Sequence, residues 1–270
     1  VSDAVDAVAL LELARTAATL AGERILAARL ADSGTTGLRS GSETKSSGTD
    51  LVTEVDRACE SLIVAHLTSA RPDDGVVGEE GSARAGTSGI EWVIDPIDGT
   101  TNFVYGYPAF CVSIAAVDAD GALAGVVHDP LRAETFAAVR GGGSTCNGIP
   151  FSAPPVAPPL SEALLATGFA YRSGLRAAQG AVVARVVPVA RDIRRSGSAA
   201  LDLCSVACGR VDGYFEAGLA RWDREAGVLI ATEAGRVVRE FAGPEPDAST
   251  LVVTAPALLD DLLALLTSAE

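Results

Sequence analysis

What this 270-residue chain has little of narrows its chemistry first. Two histidines, His66 and His128, supply poorly either a histidine-ligated zinc site or a Ser-His-Asp triad, so any metal would be held by oxygen. The five cysteines, Cys59, Cys111, Cys146, Cys204 and Cys208, are an odd, scattered set without a CxxC pair. In a chain this long they read as reduced, mostly buried thiols, and the cytoplasm is the expected compartment. No run approaches the roughly 18 unbroken apolar residues of a membrane helix. The opening VSDAVDAVALLELARTA carries acids where a signal peptide carries bases. No membrane partner is expected. Basic residues are scarce as well: 21 Lys+Arg face 35 Asp+Glu, a formal net charge of −14. Nucleic acid is not an expected partner, because backbone phosphates demand basic stripes. Lys45 is the only lysine.

What is there is a globular composition, 48% hydrophobic and 21% charged, with length enough for a sizeable core. Residues 3–30 space Val5, Val8, Leu11, Ala14 and Ile25 as one long amphipathic helix. A small, polar, glycine-rich stretch follows to residue 50 and reads as a mobile loop carrying Lys45. A second helix is expected from Thr53 to about Ala70, with β-rich runs at 75–78, 92–94, 110–117 and 123–128. Asp118-Ala-Asp-Gly between the last two reads as a hairpin turn. Five prolines within 150–159 mark the best internal boundary. Beyond it come a strand at 164–167, helices near 176–186, 198–209 and 223–234, strands near 212–216, 236–240 and 250–254, and a closing helix at 256–268. The whole reads as one catalytic domain, 1–270, of mixed α and β structure, with one lobe over about 1–150 and a second over about 160–270.

The densest chemistry lies in WVIDPIDGTTNF, Trp92 to Phe103. An apolar strand is expected to end at Asp95, Pro96 to stop its ladder, and Gly99-Thr100-Thr101 to enter a helix. Two carboxylates then stand at a strand end beside backbone N–H groups able to receive an anion. At about 4 Å two carboxylates repel by roughly 4 kcal/mol at an effective dielectric of about 20. Protonation or a hard divalent cation relieves that. The ordinary structural alternative is an Asx turn with Thr100 as helix cap. Glu79 in Gly78-Glu79-Glu80-Gly81 also follows an apolar strand, though acids in turns are common. Thr53-x-x-Asp56 is a capping box by spelling, and Asp223 after Trp222 could be a helix N-cap. These weak sites gain meaning only by convergence, since an open metal–phosphate site needs several carboxylates. Gly141-Gly142-Gly143 fails the dinucleotide pattern because Cys146 stands at the third glycine position. His66 and His128 read as satisfied structural histidines, and Cys204 and Cys208 as core.

Taken together and in order, KSSGTDLVTEVD (45–56), GEE (78–80), WVIDPIDGTTNF (92–103), RSGSAALDL (195–203), YFEAG (214–218) and WDREAGVLIATEAG (222–235) resemble the inositol monophosphatase family of magnesium-dependent, lithium-sensitive phosphatases. The resemblance implies an α+β fold, a layered α-β-α-β-α sandwich of the sugar-phosphatase type. It further implies Glu79, Asp95, Asp98 and Asp223 as side-chain metal ligands, with the Ile97 carbonyl. Two or three Mg2+ ions are implied, with Mn2+ as a substitute. One ion would rest on Glu79, Asp95 and Ile97, a second on Asp95, Asp98 and Asp223, and a weaker third near Asp56 and Glu79. Asp56, Glu79 and Thr100 would orient the attacking water. Gly99, Thr100 and Thr101 would cradle the phosphate, and Gly197, Ser198, Ala199 and Glu216 would meet the substrate hydroxyls. Lys45 aligns with the family's mobile-loop lysine.

The implied reaction is hydrolysis of a phosphate monoester, with myo-inositol 1-phosphate favoured by Thr101-Asn102-Phe103 and Glu216. Histidinol phosphate and fructose 1,6-bisphosphate are the enzyme alternatives, and a non-catalytic metal-binding interaction module is the alternative of another class. A homodimer is expected by resemblance. Two positions depart from the family pattern: Glu225 where a small residue is usual, and Arg236 where a second glycine is usual.

Overall fold

Leu10, Leu11, Ala14, Ala17, Ala18, Ala21 and Ile25 recur at helical spacing, and they form the buried stripe of helix α1 (Ala7–Ala31). The computed structural model describes residues 6–31, 41–45, 51–152, 156–243, 245 and 248–267. Much of the stretch read as a mobile loop, residues 32–40 and 46–50, lies outside the described residues. Within it, however, β1 (Glu43–Thr44) pairs antiparallel with β2 (Leu51–Val52), a ladder that short polar residues do not announce.

Helix α2 (Glu54–Ala70) begins as its spelling predicts. Thr53 Oγ1 accepts from the N–H groups of Val55 and Asp56 at 3.1 and 3.3 Å, and Asp56 accepts from the Thr53 N–H at 2.9 Å. Eight strands then form one sheet: β3 (Gly75–Gly78), β4 (Ala83–Arg84), β5 (Glu91–Asp98), β6 (Cys111–Asp118), β7 (Gly121–Asp129), β8 (Glu134–Val139), β9 (Gly143–Cys146) and β10 (Ile149–Phe151). Their spatial order is β10-β9-β8-β7-β6-β5-β3-β4. The hairpin at 118–121 forms as expected, with Asp118 Oδ1 accepting from the Asp120 N–H at 2.8 Å.

Pro96 does not end its strand. β5 runs on to Asp98 through a bulge: Asp95 pairs with Ser113, register slips, and pairing resumes at Asp98 with Cys111. A bulge tolerates a residue without a backbone N–H, so the proline sits where the ladder is already broken. Strands β8 to β10 extend the sheet beyond the sequence expectation. The Gly141-Gly142-Gly143 turn between β8 and β9 instead clamps a carboxylate, since the Gly141 and Gly143 N–H groups donate to Glu233 at 2.8 and 2.9 Å.

The second sheet follows helix α3 (Thr100–Tyr105) and the proline-rich stretch. It comprises β11 (Leu164–Thr167), β12 (Asp192–Arg194), β13 (Gly213–Ala217), β14 (Val237–Ala242) and β15 (Ser249–Thr254), ordered β12-β11-β13-β15-β14. Helices α4 (Ser173–Val186), α5 (Ala199–Ala207), α6 (Arg221–Glu233) and α7 (Leu259–Thr267) complete the described α-helices. Three apolar clusters give the layering. One joins α1 and α2 to one face of the large sheet through Ile63, Trp92, Ile94 and Ile114. A second packs α5 and α6 between the two sheets, with Val127 and Phe136 on one side and Tyr214 and Val253 on the other. A third places α4 and α7 on the outer face of the small sheet, around Val186, Phe215, Val252 and Leu262. The order is α-β-α-β-α, as the resemblance implies.

Three local expectations are corrected. Helix α6 starts at Arg221, so Asp223 is its third residue and accepts from the Ala220 N–H at 2.7 Å instead of capping it. Helix α3 is capped by Gly99, and Thr100 is its first residue. His128 Nδ1 pairs with Thr135 Oγ1 at 2.9 Å, but buried His66 Nε2 has no partner, so His66 is not a satisfied histidine.

Candidate active site

The bulge in β5 aims the chemistry. Asp95 and Asp98 lie on either side of it, and the chain then turns through Gly99 at φ 96°, a left-handed conformation. A Cβ there would fall 2.9 Å from the Ala109 carbonyl and 3.2 Å from that of Gly197, so only glycine fits between the two strands of backbone. Asp95 Oδ1 accepts from the Ile97 N–H at 3.0 Å, so the Asx turn weighed from the sequence is present, together with the acidic cluster and not in place of it.

Asp95 is 1% exposed. Burial pushes its carboxyl well above the ordinary range, and the carboxyls of Glu79, Asp98 and Asp223 push it further; that of Glu79 lies within hydrogen-bonding reach. Asp98 rises to about 6 through burial, although the Ser198 hydroxyl (2.6 Å) and the Ala200 N–H (2.7 Å) donate to its Oδ2. Asp223 rises through burial and then through Asp98 and Glu79. Folding therefore gathers the four carboxylates from a turn, a strand end and a helix start into mutual electrostatic range. Among the described residues, no three His, Cys, Asp or Glu side chains are grouped closely enough to hold a metal ion by themselves, so an ion there would need water or phosphate oxygens in its shell.

Around that set, Thr100 Oγ1 lies 3.0 Å from both Asp56 Oδ1 and the Ile97 carbonyl. Asp56 is buried, which raises its pKa against the pull of its bonds to Thr53 and Thr100. Lys45 Nζ donates to Glu79 Oε1 at 2.9 Å and to Glu80 Oε1 at 2.6 Å. Burial lowers the lysine's pKa, but the two carboxylates outweigh it and hold it above the usual range. Thr101 Oγ1 is buried with no partner, an orphan beside the α3 N-terminus.

The cleft beyond these acids has a volume of about 290 Å3 and is walled by loops from both sheets, including Gly99, Gly197, Ser198, Ala199, Glu216 and Asp223. The Ser198 hydroxyl is committed to Asp98 and to the Leu201 N–H that it caps at 3.3 Å. Glu216 stands at about 7, raised by burial against a hydrogen bond from the Tyr214 hydroxyl at 2.6 Å and the charge of Arg195. Glu225 pairs with Arg221 at 3.5 Å and is not among the residues lining the cleft. Arg236, buried, donates from Nε to the Val206 carbonyl at 3.0 Å, near the end of α5. Both departures from the family pattern are thus placed away from the acids.

Several contributors escape the sequence reading. Asn102 Nδ2 donates to the carbonyls of Ala109 and Ser196 at 2.6 and 2.8 Å, tying α3 to the second lobe. Ser113 Oγ donates to the Trp222 carbonyl at 3.2 Å, which fixes the start of α6 and hence Asp223. Asp202, buried in α5, joins Glu216 and Arg195 on the cleft wall. These contacts join distant segments, and local pattern carries no signal of them. Glu60 did carry one, four residues after Asp56 on the same face of α2.

A five-layered sandwich carrying an acid-lined cleft at the entry of α3 and the start of α6 is the frame in which the comparisons place this chain among the phosphoric monoester hydrolases. The chain belongs to the inositol monophosphatase family, whose model matches residues 6–269. It is 44% identical over 232 residues to an inositol-1-monophosphatase from Mycobacterium leprae, covering 82% of this chain and 80% of that protein. It is 47% identical over 199 residues to a protein of Xylella fastidiosa named Nus factor SuhB, covering 73% and 71%. The solved structure of extragenic suppressor protein suhB from Bartonella henselae superposes with a TM-score of 0.86 at 31% identity, covering 97% of this chain and all of that one.

Proposed function

We propose that this chain hydrolyses a monophosphorylated polyol, myo-inositol 1-phosphate, in a Mg2+-dependent reaction. The observation that carries the proposal is the convergence of Glu79, Asp95, Asp98 and Asp223 around one bulged strand end. The donor set fits a hard dication. It offers carboxylates and a carbonyl, no imidazole, and the nearby Cys111 thiol is kept protonated by burial and by Asp98. Glu79, Asp95 and the Ile97 carbonyl would hold one ion, Asp95, Asp98 and Asp223 a second, and Asp56 with Glu79 a weaker third; Mn2+ would substitute. When bound, Mg2+ supplies a Lewis acid for the phosphoryl oxygens and acidifies the water that attacks.

The chain's own residues do the rest. Thr100, donating its proton to Asp56, keeps its oxygen lone pairs for the attacking water, and Glu79 aligns that water from the other side. The N–H groups at Gly99, Thr100 and Thr101 and the unpartnered Thr101 hydroxyl receive the phosphate. Gly197, Ser198 and Ala199 shape the wall, and Glu216 accepts a substrate hydroxyl. Fructose 1,6-bisphosphate stays an alternative, because Arg195 stands on the same wall as Glu216 and Asp202 and could receive a second phosphate. Histidinol phosphate is the other alternative, its ammonium meeting Glu216 where that group, at about 7, is ionised.

The test is phosphate release from inositol 1-phosphate, histidinol phosphate, fructose 1,6-bisphosphate and adenosine bisphosphate, at millimolar Mg2+ and after chelation. Release is expected to be fastest with inositol 1-phosphate and abolished by chelation. Chelator-insensitive release would overturn the metal reading. The whole chain is read as one two-lobed catalytic domain, and a homodimer is proposed from the family; light scattering should give twice the 27.4 kDa chain mass. The five cysteines are all unpaired, consistent with the cytoplasm as the proposed compartment. None of the described helices is long and apolar enough to cross a membrane. The name of the Xylella relative supports a further reading in which the chain also serves as a Nus factor. That role would stand alone only if no sugar phosphate were hydrolysed.

A further inference from the structure

A carboxylate outside the ligand set holds the turn from which Glu79 projects. Glu60 lies one helical turn beyond Asp56 on α2 and is 2% exposed. Its Oε2 accepts from the Glu80 N–H at 2.8 Å and its Oε1 from the Ser82 N–H at 2.9 Å. The turn between them is closed by the Gly78 N–H on the Ser82 carbonyl at 2.7 Å, with Gly81 in the left-handed region at φ 103°. Backbone N–H groups set around such a turn form a concave anion cradle, and here the anion is the protein's own. Contact is close enough that a Cβ at Gly78 would run into the Glu60 carboxylate and push it aside. Glu79 is consequently pinned on both flanks. Its own N–H donates to the Ile94 carbonyl of the neighbouring strand at 3.1 Å, and the next N–H is held by Glu60.

We propose that Glu60 is a positioning residue: it fixes the backbone of the Gly78–Ser82 turn so that Glu79 faces Asp95, and so sets the affinity of the cation site without touching the cation. A glutamine at position 60 would present an NH2 group to one of two N–H donors and leave that donor unpaired in a buried place. The inference rests on the Mg2+ reading above. Its chemistry follows the general rule that partners of metal ligands change affinity by about 10–100-fold when lost.

Binding of Mn2+ alone, followed by the electron-spin-resonance signal of the free ion, tests it on wild type, Glu60→Gln and Gly78→Ala. The last variant keeps the charge and displaces the carboxylate. Both variants are expected to bind Mn2+ at least about tenfold more weakly. The Mg2+ concentration for half-maximal activity should rise in parallel, with an unchanged KM for inositol 1-phosphate at saturating Mg2+. Folded variants that bind Mn2+ as wild type does would overturn the inference, and if Glu60→Gln fails to fold, Gly78→Ala decides by the same measure. Wild-type protein that binds no Mn2+ would instead overturn the metal reading, and this inference with it.

Discussion

Burial and three neighbouring carboxyls are the largest causes acting on Asp95, and all of them raise its proton affinity. Such a group destabilises the metal-free fold and becomes useful only when a cation arrives. Asp95→Asn is therefore expected to act in two directions at once. Turnover should fall by at least about a hundredfold, since even partners of metal ligands cost up to that much. The metal-free melting temperature should stay level or rise, because one repelling charge is removed. Phosphate release and a thermal melt in chelator check both, and a variant that keeps its Mg2+-dependent rate would show that Asp95 is not a shared ligand. Gly99→Ala tests the backbone beside it. A methyl group there meets two carbonyls and a left-handed φ, so a loss of more than about 1 kcal/mol in stability is expected by denaturant titration.

At the scale of elements, the site is an arrangement of ends: the bulge of β5, the entries of α3 and α6, and the turn after β3. Hydrogen bonds from Asn102, Ser113 and Ser198 tie these ends across segments about a hundred residues apart in the chain. Elsewhere the elements are held by conventional means. Arg236 places its guanidinium on the Val206 carbonyl, near the C-terminal end of α5, where a cation complements the helix dipole. Burial lowers its pKa, yet it remains an arginine with one firm acceptor. Arg236→Ala is expected to cost about 1–2 kcal/mol in unfolding free energy. It should leave kcat and KM unchanged, since Arg236 is not on the cleft wall. A changed KM would mean that this departure from the family pattern bears on substrate after all.

For the whole molecule, the buried acids make metal-free stability depend on pH. Asp98 is raised from 3.8 to about 6 and Glu216 from 4.5 to about 7, both chiefly by burial. Both are protonated in folded and unfolded chains well below about pH 4. Between about pH 4 and pH 7 the folded chain keeps protons that the unfolded chain has released, so stability falls as pH rises through that window. Melting temperatures in chelator should accordingly drop by several degrees from pH 5 to pH 8. Mg2+ should restore most of that loss at pH 8 and little at pH 5, where protons compete for the same oxygens. A metal-free melt that is flat or rises with pH would contradict the burial of these carboxylates.

Much was legible from sequence because much was local. The stripe of α1, the capping box at Thr53 and Asp56, the hairpin at Asp118 and the strand-to-helix passage at 92–103 each rest on interactions within a few residues, which spacing records directly. The acids were legible as candidates for the same reason, since side chains that repel one another need a purpose. Other features depended on partners far along the chain. Pro96 within a continuing strand, the strands β8 to β10, the glycine clamp on Glu233 and the role of Glu60 exist because a distant segment supplies the pairing group. Residue order thus determined most of the elements and nominated the acids proposed as metal ligands. Only tertiary packing decided that four carboxylates would come within electrostatic range of one another, because burial and mutual charge are properties of a place in the fold and not of a position in the chain.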